Sequence, residues 1–307
     1  MSLPSRQRGI AIITAVAVAA LVAALAGAMA FRHSLWLHQV ENQNDMMQAR
    51  GVARAAVDFC RLELRDDARR NTYDAATDNW ATPIPNLPVE QGKAGGLITD
   101  ASGRFNINNL LRDGQPSESD VLAFKKLLEG QGYSPDLANA VLDWIDADSE
   151  TRYPGGAEDR EYLAETPPRR AANRLLFDLD ELRQVRGFTS EMVEKLRPLM
   201  IALPRNTKIN VNFAPAEVLV AVLPGLNMGT ARKVVQQRAT TPFQKIEEFK
   251  NELPENARSN QIDKADVRSE FFISDVDARF GRVNIAYRAL LDRSSDQVPT
   301  VVWLRRR

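Results

Sequence analysis

The sequence lacks several features that would point to particular kinds of protein. Cys60 is the single cysteine among 307 residues, so no intramolecular disulfide can form, and we expect this side chain to be a small buried hydrophobe. The 40 basic and 40 acidic side chains cancel, which argues against a general electrostatic attraction to nucleic acid or anionic lipid. No nucleophile is paired with a general base, so we expect no enzyme.

Charge is also missing from a long run near the N-terminus. Residues 10–31 contain no charged side chain, and Thr14 is the clearly polar one. About 22 apolar residues at ~1.5 Å rise per residue span ~33 Å, which is enough to cross the core of a bilayer. Arg6 and Arg8 precede the run. By the positive-inside rule they would stay cytoplasmic, with the bulk of the chain beyond the inner membrane.

This run has three possible interpretations. A cleaved secretory signal would be cut after Ala30, but its apolar core would be only ~7–15 residues long. A plain membrane anchor would not be cut. The third interpretation rests on Arg6 to Gly9, directly before Ile10. This pattern resembles the type IV prepilin signal, in which cleavage falls between the glycine and the next residue and the helix is kept. Residues 1–9 would then be a leader peptide.

No proline occurs between the end of this run and Pro83. We therefore predict that the helix continues over residues 10–70. It would be apolar all round to about residue 31 and amphipathic after that point. One stripe of apolar residues would lie on a globular domain. The residues that recur at helical spacing are Leu35, Val40, Met47, Val52, Phe59 and Leu62.

The rest of the chain predicts an α+β fold. Residues 71–96 are rich in turn-forming types and predict a loop, and residues 97–108 predict a β-hairpin around a turn at 100–103. Three β-rich segments close the chain and would join the hairpin in one antiparallel sheet: 271–274, 282–288 and 298–304. Helical patterns dominate between these β segments. Accordingly, the predicted units are a β core of 71–110 and 268–307 and an inserted α-helical domain of 111–267.

The insertion contains the segment with the most concentrated charge. Six carboxylates fall within residues 143–159, and they would repel one another unless they were solvated or neutralised. Oxygen ligands without histidine or cysteine favour Ca²⁺ over zinc or copper. The pattern is not an EF-hand, because Thr151 and Ala157 stand where that loop needs Gly and Glu. The alternative is a solvated acidic loop.

An internal repeat follows the acidic segment. Residues 175–203 and 217–238 align with an offset of 38 residues, and each unit reads as helix, glycine turn, helix. Both resemble the helix-hairpin-helix motif, many members of which bind the DNA backbone through exposed amides. A membrane-anchored DNA-binding or uptake protein is therefore the alternative function. Against it, Thr189 and Asn227 stand where the DNA-binding form usually has a second glycine, so we expect no nucleic acid partner.

Taken over nearly its whole length, the sequence resembles the minor pseudopilin K family of type II secretion systems. The motifs that carry the resemblance are Arg6 to Ile10, Phe105 to Asn108, Asp143 to Asp148, Gly156 to Asp159 and Val211 to Glu217. The resemblance implies a pilin-like fold, in which a long N-terminal helix packs on a small antiparallel sheet that carries the inserted helical domain. It also implies a structural role in protein export: capping the tip of the periplasmic pseudopilus.

The resemblance further implies partners and sites. Partners would be the minor pseudopilins I, J and H, the inner-membrane assembly platform, and the prepilin peptidase that cleaves after Gly9 and methylates Ile10. One or two calcium ions would be bound in the insertion, and the residues matching that acidic motif are Asp143, Asp146, Asp148, Glu158 and Asp159. Most pilins have Glu at the fifth mature position, where it is proposed to pair with a neighbour's N-terminal amine. Here that position is Thr14, which would suit a subunit that comes first.

Overall fold

The computed structural model describes residues 6–89, 92–258, 261–295 and 297–307, with side chains from Ile10 onward. The α-helices are α1 (Arg6–Arg70), α2 (Glu118–Gly130), α3 (Leu137–Ile145), α4 (Asp159–Leu163), α5 (Ser190–Leu196), α6 (Ala216–Val222), α7 (Met228–Thr240), α8 (Ile246–Glu252) and α9 (Glu255–Arg258). Short 3-10 helices cover Asn79–Ala81, Ile107–Leu110, Leu179–Gln184 and Ile262–Lys264. The strands are β1 (Ile84–Val89), β2 (Gly92–Asp100), β3 (Phe105–Asn106), β4 (Leu111–Arg112), β5 (Gln115–Pro116), β6 (Met200–Ile201), β7 (Ile209–Asn210), β8 (Ala265–Asp266), β9 (Phe271–Phe280), β10 (Val283–Asp292) and β11 (Thr300–Arg306).

The 65-residue helix α1 is about 98 Å long at 1.5 Å per residue. Its N-terminal half is exposed, and its C-terminal half packs on the sheet through a stripe of small and medium side chains. That stripe consists of Ala49, Ala53, Val57, Cys60 and Leu64. Burial of Cys60 is confirmed, and it raises the pKa of the thiol to about 12.

The second half of α1 packs on the sheet as predicted, and Val52 contacts the core there, but most of the residues predicted to form the stripe were wrong. Met47 is 63% exposed and Phe59 is 52% exposed, and Leu35 and Leu62 also face outward. Both sets of residues have helical spacing, so periodicity alone does not separate them. The alanines allow the helix backbone to approach the sheet closely, whereas the larger side chains would hold it away.

The large sheet has the strand order β1-β2-β9-β10-β11, and every neighbouring pair is antiparallel. One face lies against α1 through Ile98, Phe272, Val276, Ala289 and Leu291. The chain leaves the sheet after Asp100 and returns to it at Phe271. The expected α+β architecture, a long helix on a small antiparallel sheet with an inserted helical domain, is confirmed.

The predicted hairpin over 97–108 was wrong. Asp100 accepts hydrogen bonds from the backbone N–H of Ser102 and Gly103, and this turn directs the chain away from the sheet. Phe105 and the next residue then pair in parallel with β6 of the insertion. The hairpin that does form joins β1 to β2, inside the segment predicted to be a loop. Residues 105–110, assigned from the sequence to the β core, pack in the insertion instead.

The two repeat units have the expected helix-turn-helix form, although the first helix of the first unit is the 3-10 helix Leu179–Gln184. Gly187 and Gly225 occupy the turns with φ of 87° and 90°, a region that favours glycine. Thr189 and Asn227, the residues two positions after these glycines, cap α5 and α7 by accepting hydrogen bonds from backbone N–H groups. A capping side chain therefore stands where the DNA-binding form has a second glycine.

Candidate metal centre

The acidic segment forms a loop between α3 and α4. Helix α3 carries Asp143 on its last turn, and Asp146 is the C-cap residue that follows it. The loop then reverses direction at Gly155 and Gly156. A Cβ at Gly156 would collide with the Asp143 carboxylate and the Arg152 carbonyl oxygen, so only glycine lets the two ends of the loop approach this closely.

Three carboxylates converge where the loop closes. Ligand oxygens of Asp146, Asp148 and Glu158 all lie within 4.8 Å of one another. Asp146 and Glu158 are each 3% exposed, whereas Asp148 is exposed. Oδ1 of Asp146 and Oε1 of Glu158 are buried without a hydrogen-bond or ion-pair partner in the described part of the chain, whereas Oδ2 of Asp146 is ion-paired with Arg152. Buried carboxylate oxygens in this condition need a cation or a proton.

Arg152 supplies part of the positive charge. Its Nη1 donates to Asp143 Oδ1 at 2.8 Å and lies 2.5 Å from Asp146 Oδ2, and its Nη2 is 3.8 Å from Asp148. The backbone N–H of Arg152 also donates to Asp143 Oδ2 at 3.0 Å. Both oxygens of Asp143 are thus used to hold the loop. Sequence analysis missed Arg152, although it lies between Glu150 and Glu158 in the acidic segment, because spacing alone does not show which carboxylates a flexible arginine side chain reaches in the folded loop.

Burial dominates the electrostatics of this centre. Burial and, to a smaller extent, the surrounding carboxylates together raise the pKa of Glu158 to about 7. Burial also raises the pKa of Asp143 and of Asp146, although Arg152 opposes the rise at both. Ionising Asp143, Asp146 and Glu158 together is therefore unfavourable when Arg152 is the cation that opposes their repulsion.

The geometry fits a divalent cation with oxygen ligands. Asp146, Asp148 and Glu158 supply converging carboxylates, and two of them are buried with unpaired oxygens. Hard oxygen donors of this kind suit Ca²⁺. Of the five residues assigned from the sequence, these three come together. Asp159 points elsewhere: its Oδ1 accepts from the Ala171 backbone N–H at 3.0 Å.

The predicted processing site lies at the edge of the described part of the chain. Residues 1–5 lie outside it, and side chains are described only from Ile10. The cleavage between Gly9 and Ile10 therefore remains a prediction. Thr14 donates its hydroxyl to the carbonyl oxygens of Ile10 at 3.1 Å and Ala11 at 3.0 Å. Its polar group is thus satisfied within α1, whose most apolar 18-residue window has a mean hydropathy of 2.6.

Two family models match the chain, at residues 103–205 and 209–268, and both are described as type II secretion system (T2SS), protein K. The curated type II secretion system protein K of Pseudomonas aeruginosa is 33% identical, over 80% of this chain and 77% of the relative. The protein of the same name from Pectobacterium carotovorum subsp. carotovorum is 32% identical, over 97% of this chain and 96% of the relative.

The fold also resembles a solved structure. A chain in the crystal structure of the GspK-GspI-GspJ complex from the enterotoxigenic Escherichia coli Type 2 Secretion System superposes with a TM-score of 0.76 at 23% identity. The match covers 87% of this chain and 99% of that one. These similarities are to a secretion component, which is consistent with the expectation of no enzyme. They lend no support to the DNA-binding alternative.

Proposed function

This chain belongs to the type II secretion system protein K family, and we propose that it is a minor pseudopilin at the tip of the periplasmic pseudopilus. In that position it supports the export of folded proteins across the outer membrane. The observation that carries the proposal is the division of α1: residues 10–31 are apolar and exposed, while the stripe from Ala49 to Leu64 is buried on the sheet. One half suits a bilayer or a filament core, and the other carries a folded domain.

The proposed location follows from the same helix. The chain crosses the inner membrane once through residues 10–31, with its bulk in the periplasm. Prepilin peptidase cleaves after Gly9 and methylates Ile10. The partners are the pseudopilins I and J, which the related crystal structure contains together with GspK, then pseudopilin H beneath them and the inner-membrane assembly platform.

Thr14 sets the place of this subunit in the filament. A buried carboxylate at that position would draw a subunit beneath the N-terminal amine of the preceding one, since an unpaired charge in a bilayer is costly. The Thr14 hydroxyl is already bonded within its own helix and offers no charge. The amine of Ile10 remains able to receive the carboxylate of the following subunit. The subunit therefore comes first, and its insertion obstructs stacking above it.

Ca²⁺ is the proposed structural ion of the insertion. Asp146, Asp148 and Glu158 hold it directly, Asp143 positions the loop through Arg152, and Asp159 ties the start of α4 to Ala171. A bound divalent cation supplies the positive charge that Arg152 alone does not. The buried carboxylates can then stay ionised and keep the loop closed.

The N-terminal residue of the mature protein tests the proposal. Mass spectrometry of protein purified from cells with an active type II secretion system is expected to find N-methylated Ile10, and co-purification is expected to recover pseudopilins I and J. A mature chain beginning at Phe31 would identify a secreted protein instead. An uncut N-terminus without I and J would identify a simple anchor. Either result would overturn the pseudopilus role.

A further inference from the structure

A cleft lined by arginines separates the large sheet from the inserted domain. It lies on the sheet face opposite α1 and encloses about 270 Å³. Arg288 of β10 and Arg305 of β11 are cross-strand partners there, and Arg307 follows at the edge. Arg104 and Arg197 face them from the inserted domain. Like charges this close repel one another unless carboxylates or bound anions lie between them.

Most of these arginines already have a carboxylate partner. Arg288 donates to the two oxygens of Asp275 at 2.8 Å and 3.0 Å. Arg197 donates to Asp180 at 2.6 Å and to Glu194 at 2.9 Å. The two-fold contact of Arg288 with Asp275 and the contacts of Arg197 with two carboxylates hold both guanidinium groups in place before any ligand binds.

The two arginines on the open side of the cleft are paired as well. Arg305 donates to Asp178 of the inserted domain, and this ion pair joins the insertion to β11. Arg307 donates to Asp275 at 2.9 Å. The Arg305–Asp178 pair therefore links the two walls of the cleft, and the Arg307–Asp275 pair holds the chain end on the sheet wall.

Arg104 differs from these neighbours. Within the described part of the chain it has no hydrogen-bond or ion-pair partner, although it is only partly exposed. Burial lowers its pKa; Asp100 opposes that effect, while Arg288 and Arg197 add to it. A guanidinium stays charged at neutral pH, so Arg104 is a cation that faces other cations and has no direct ion-pair partner among the described residues.

We propose that this cleft is an anion-binding site in which the Arg104 guanidinium binds a small oxyanion, either a carboxylate or a phosphate. The planar fork of arginine donors matches two oxygens of such a group. The floor of the cleft is apolar, which strengthens the attraction by excluding water. It is formed by Met200, Ile201, Ile273, Leu290 and Trp303.

The test uses the full chain in neutral detergent, titrated with potassium phosphate or sodium acetate against chloride at constant ionic strength. The readouts are the melting temperature and tryptophan fluorescence, because Trp303 lines the cleft. At least one of the two oxyanions is expected to protect the protein, that is, to raise its melting temperature to a plateau with a single midpoint concentration. Protection by phosphate alone would assign a phosphoryl ligand. Equal protection by acetate would assign a carboxylate, as an acidic side chain or a chain terminus supplies.

Arg104→Gln is expected to weaken that binding by about tenfold or more, since a charge-assisted bidentate contact is lost. Without anion this variant should melt no lower than the wild type. Arg104→Lys keeps the charge and should bind with intermediate affinity. Arg232→Gln, at an exposed arginine of α7, is the matched control and should behave as the wild type. Absence of a saturable effect in the wild type, or an unchanged midpoint in Arg104→Gln, would overturn the proposal.

Discussion

Arg293 and Asp74 form an ion pair in which each side chain is only 1% exposed, with Nη2 of the arginine 2.5 Å from Oδ2 of the aspartate. Nη1 of Arg293 also donates to Asp67 on the last turns of α1 at 3.2 Å, and the guanidinium lies over the Phe272 ring at 4.5 Å. The residue just after β10 thus holds together the end of α1, the segment that follows it and the sheet.

We predict that Arg293→Met destabilises the protein by about 3–5 kcal/mol, because it leaves two buried carboxylates without their cation. Denaturant unfolding followed by circular dichroism measures the change. The control is Arg288→Met, which breaks a more exposed pair with Asp275 and should cost below about 1 kcal/mol. An equal loss of unfolding free energy in the two variants would show that the ion pairs of Arg293 contribute no more than a surface ion pair does.

Gly225 is predicted to be intolerant of a side chain. Its φ is 90°, and an added Cβ would lie 2.9 Å from the Asn256 carbonyl oxygen. Gly225→Ala should lower the free energy of unfolding by about 1–3 kcal/mol. Gly130→Ala, at the end of α2 with open space around it, should instead be neutral or stabilising by up to about 1 kcal/mol. A neutral Gly225→Ala would mean that the turn relaxes without cost.

Calcium is predicted to stabilise the insertion. At a free concentration of about 100 times its dissociation constant, Ca²⁺ should add about 2.7 kcal/mol to the free energy of unfolding. Thermal melting with calcium and with chelator measures this effect. Glu158→Gln should abolish most of the difference, because it removes a buried ligand charge.

The control for calcium is Glu150→Gln, which removes an exposed carboxylate of the same loop outside the converging group and should keep the response. If the melting temperature is the same with calcium and with chelator, a structural ion is ruled out. An equal loss in both variants would point to a general effect of negative charge.

Thr14→Glu is predicted to change where the subunit sits in the filament. The added carboxylate can pair with the amine of a preceding subunit, so crosslinking should find the variant below the tip, and export of secreted proteins should fall. Thr14→Ser keeps a hydroxyl that can bond within α1 and should behave as the wild type. If Thr14→Glu remains at the tip with normal export, residue 14 does not specify position.

The asparagines of the motifs illustrate why part of this fold was beyond sequence analysis. Asn108 donates to the carbonyl oxygens of Leu176 and Leu203, at 2.9 Å and 2.8 Å. Asn212 donates to those of Asp74 and Phe243. The sequence shows the motifs themselves. The groups that their asparagines bind lie tens of residues away along the chain, and the neighbouring residues do not indicate which groups these are.

Features that depend on residues close together in the sequence were predicted best. The uncharged run of 10–31, the glycine turns at Gly187 and Gly225, and the closing strands follow from spacing and side-chain type, because helices, turns and strands are decided over a few residues. The errors occurred where two local patterns compete. Two short β-rich segments around the turn at 100–103 were mistaken for one hairpin, whereas the hydrogen bonds of Asp100 direct the chain away from the sheet there.

By itself the sequence determined that one long helix can enter a bilayer and that the insertion contains a concentrated acidic loop, because hydropathy and charge density are properties of contiguous residues. The tertiary structure decided which face of α1 packs on the sheet, which three of five carboxylates converge beside Arg152, and that Arg104 faces other arginines across a cleft. These depend on close packing and on electrostatics between distant segments, and both act only after the chain has folded.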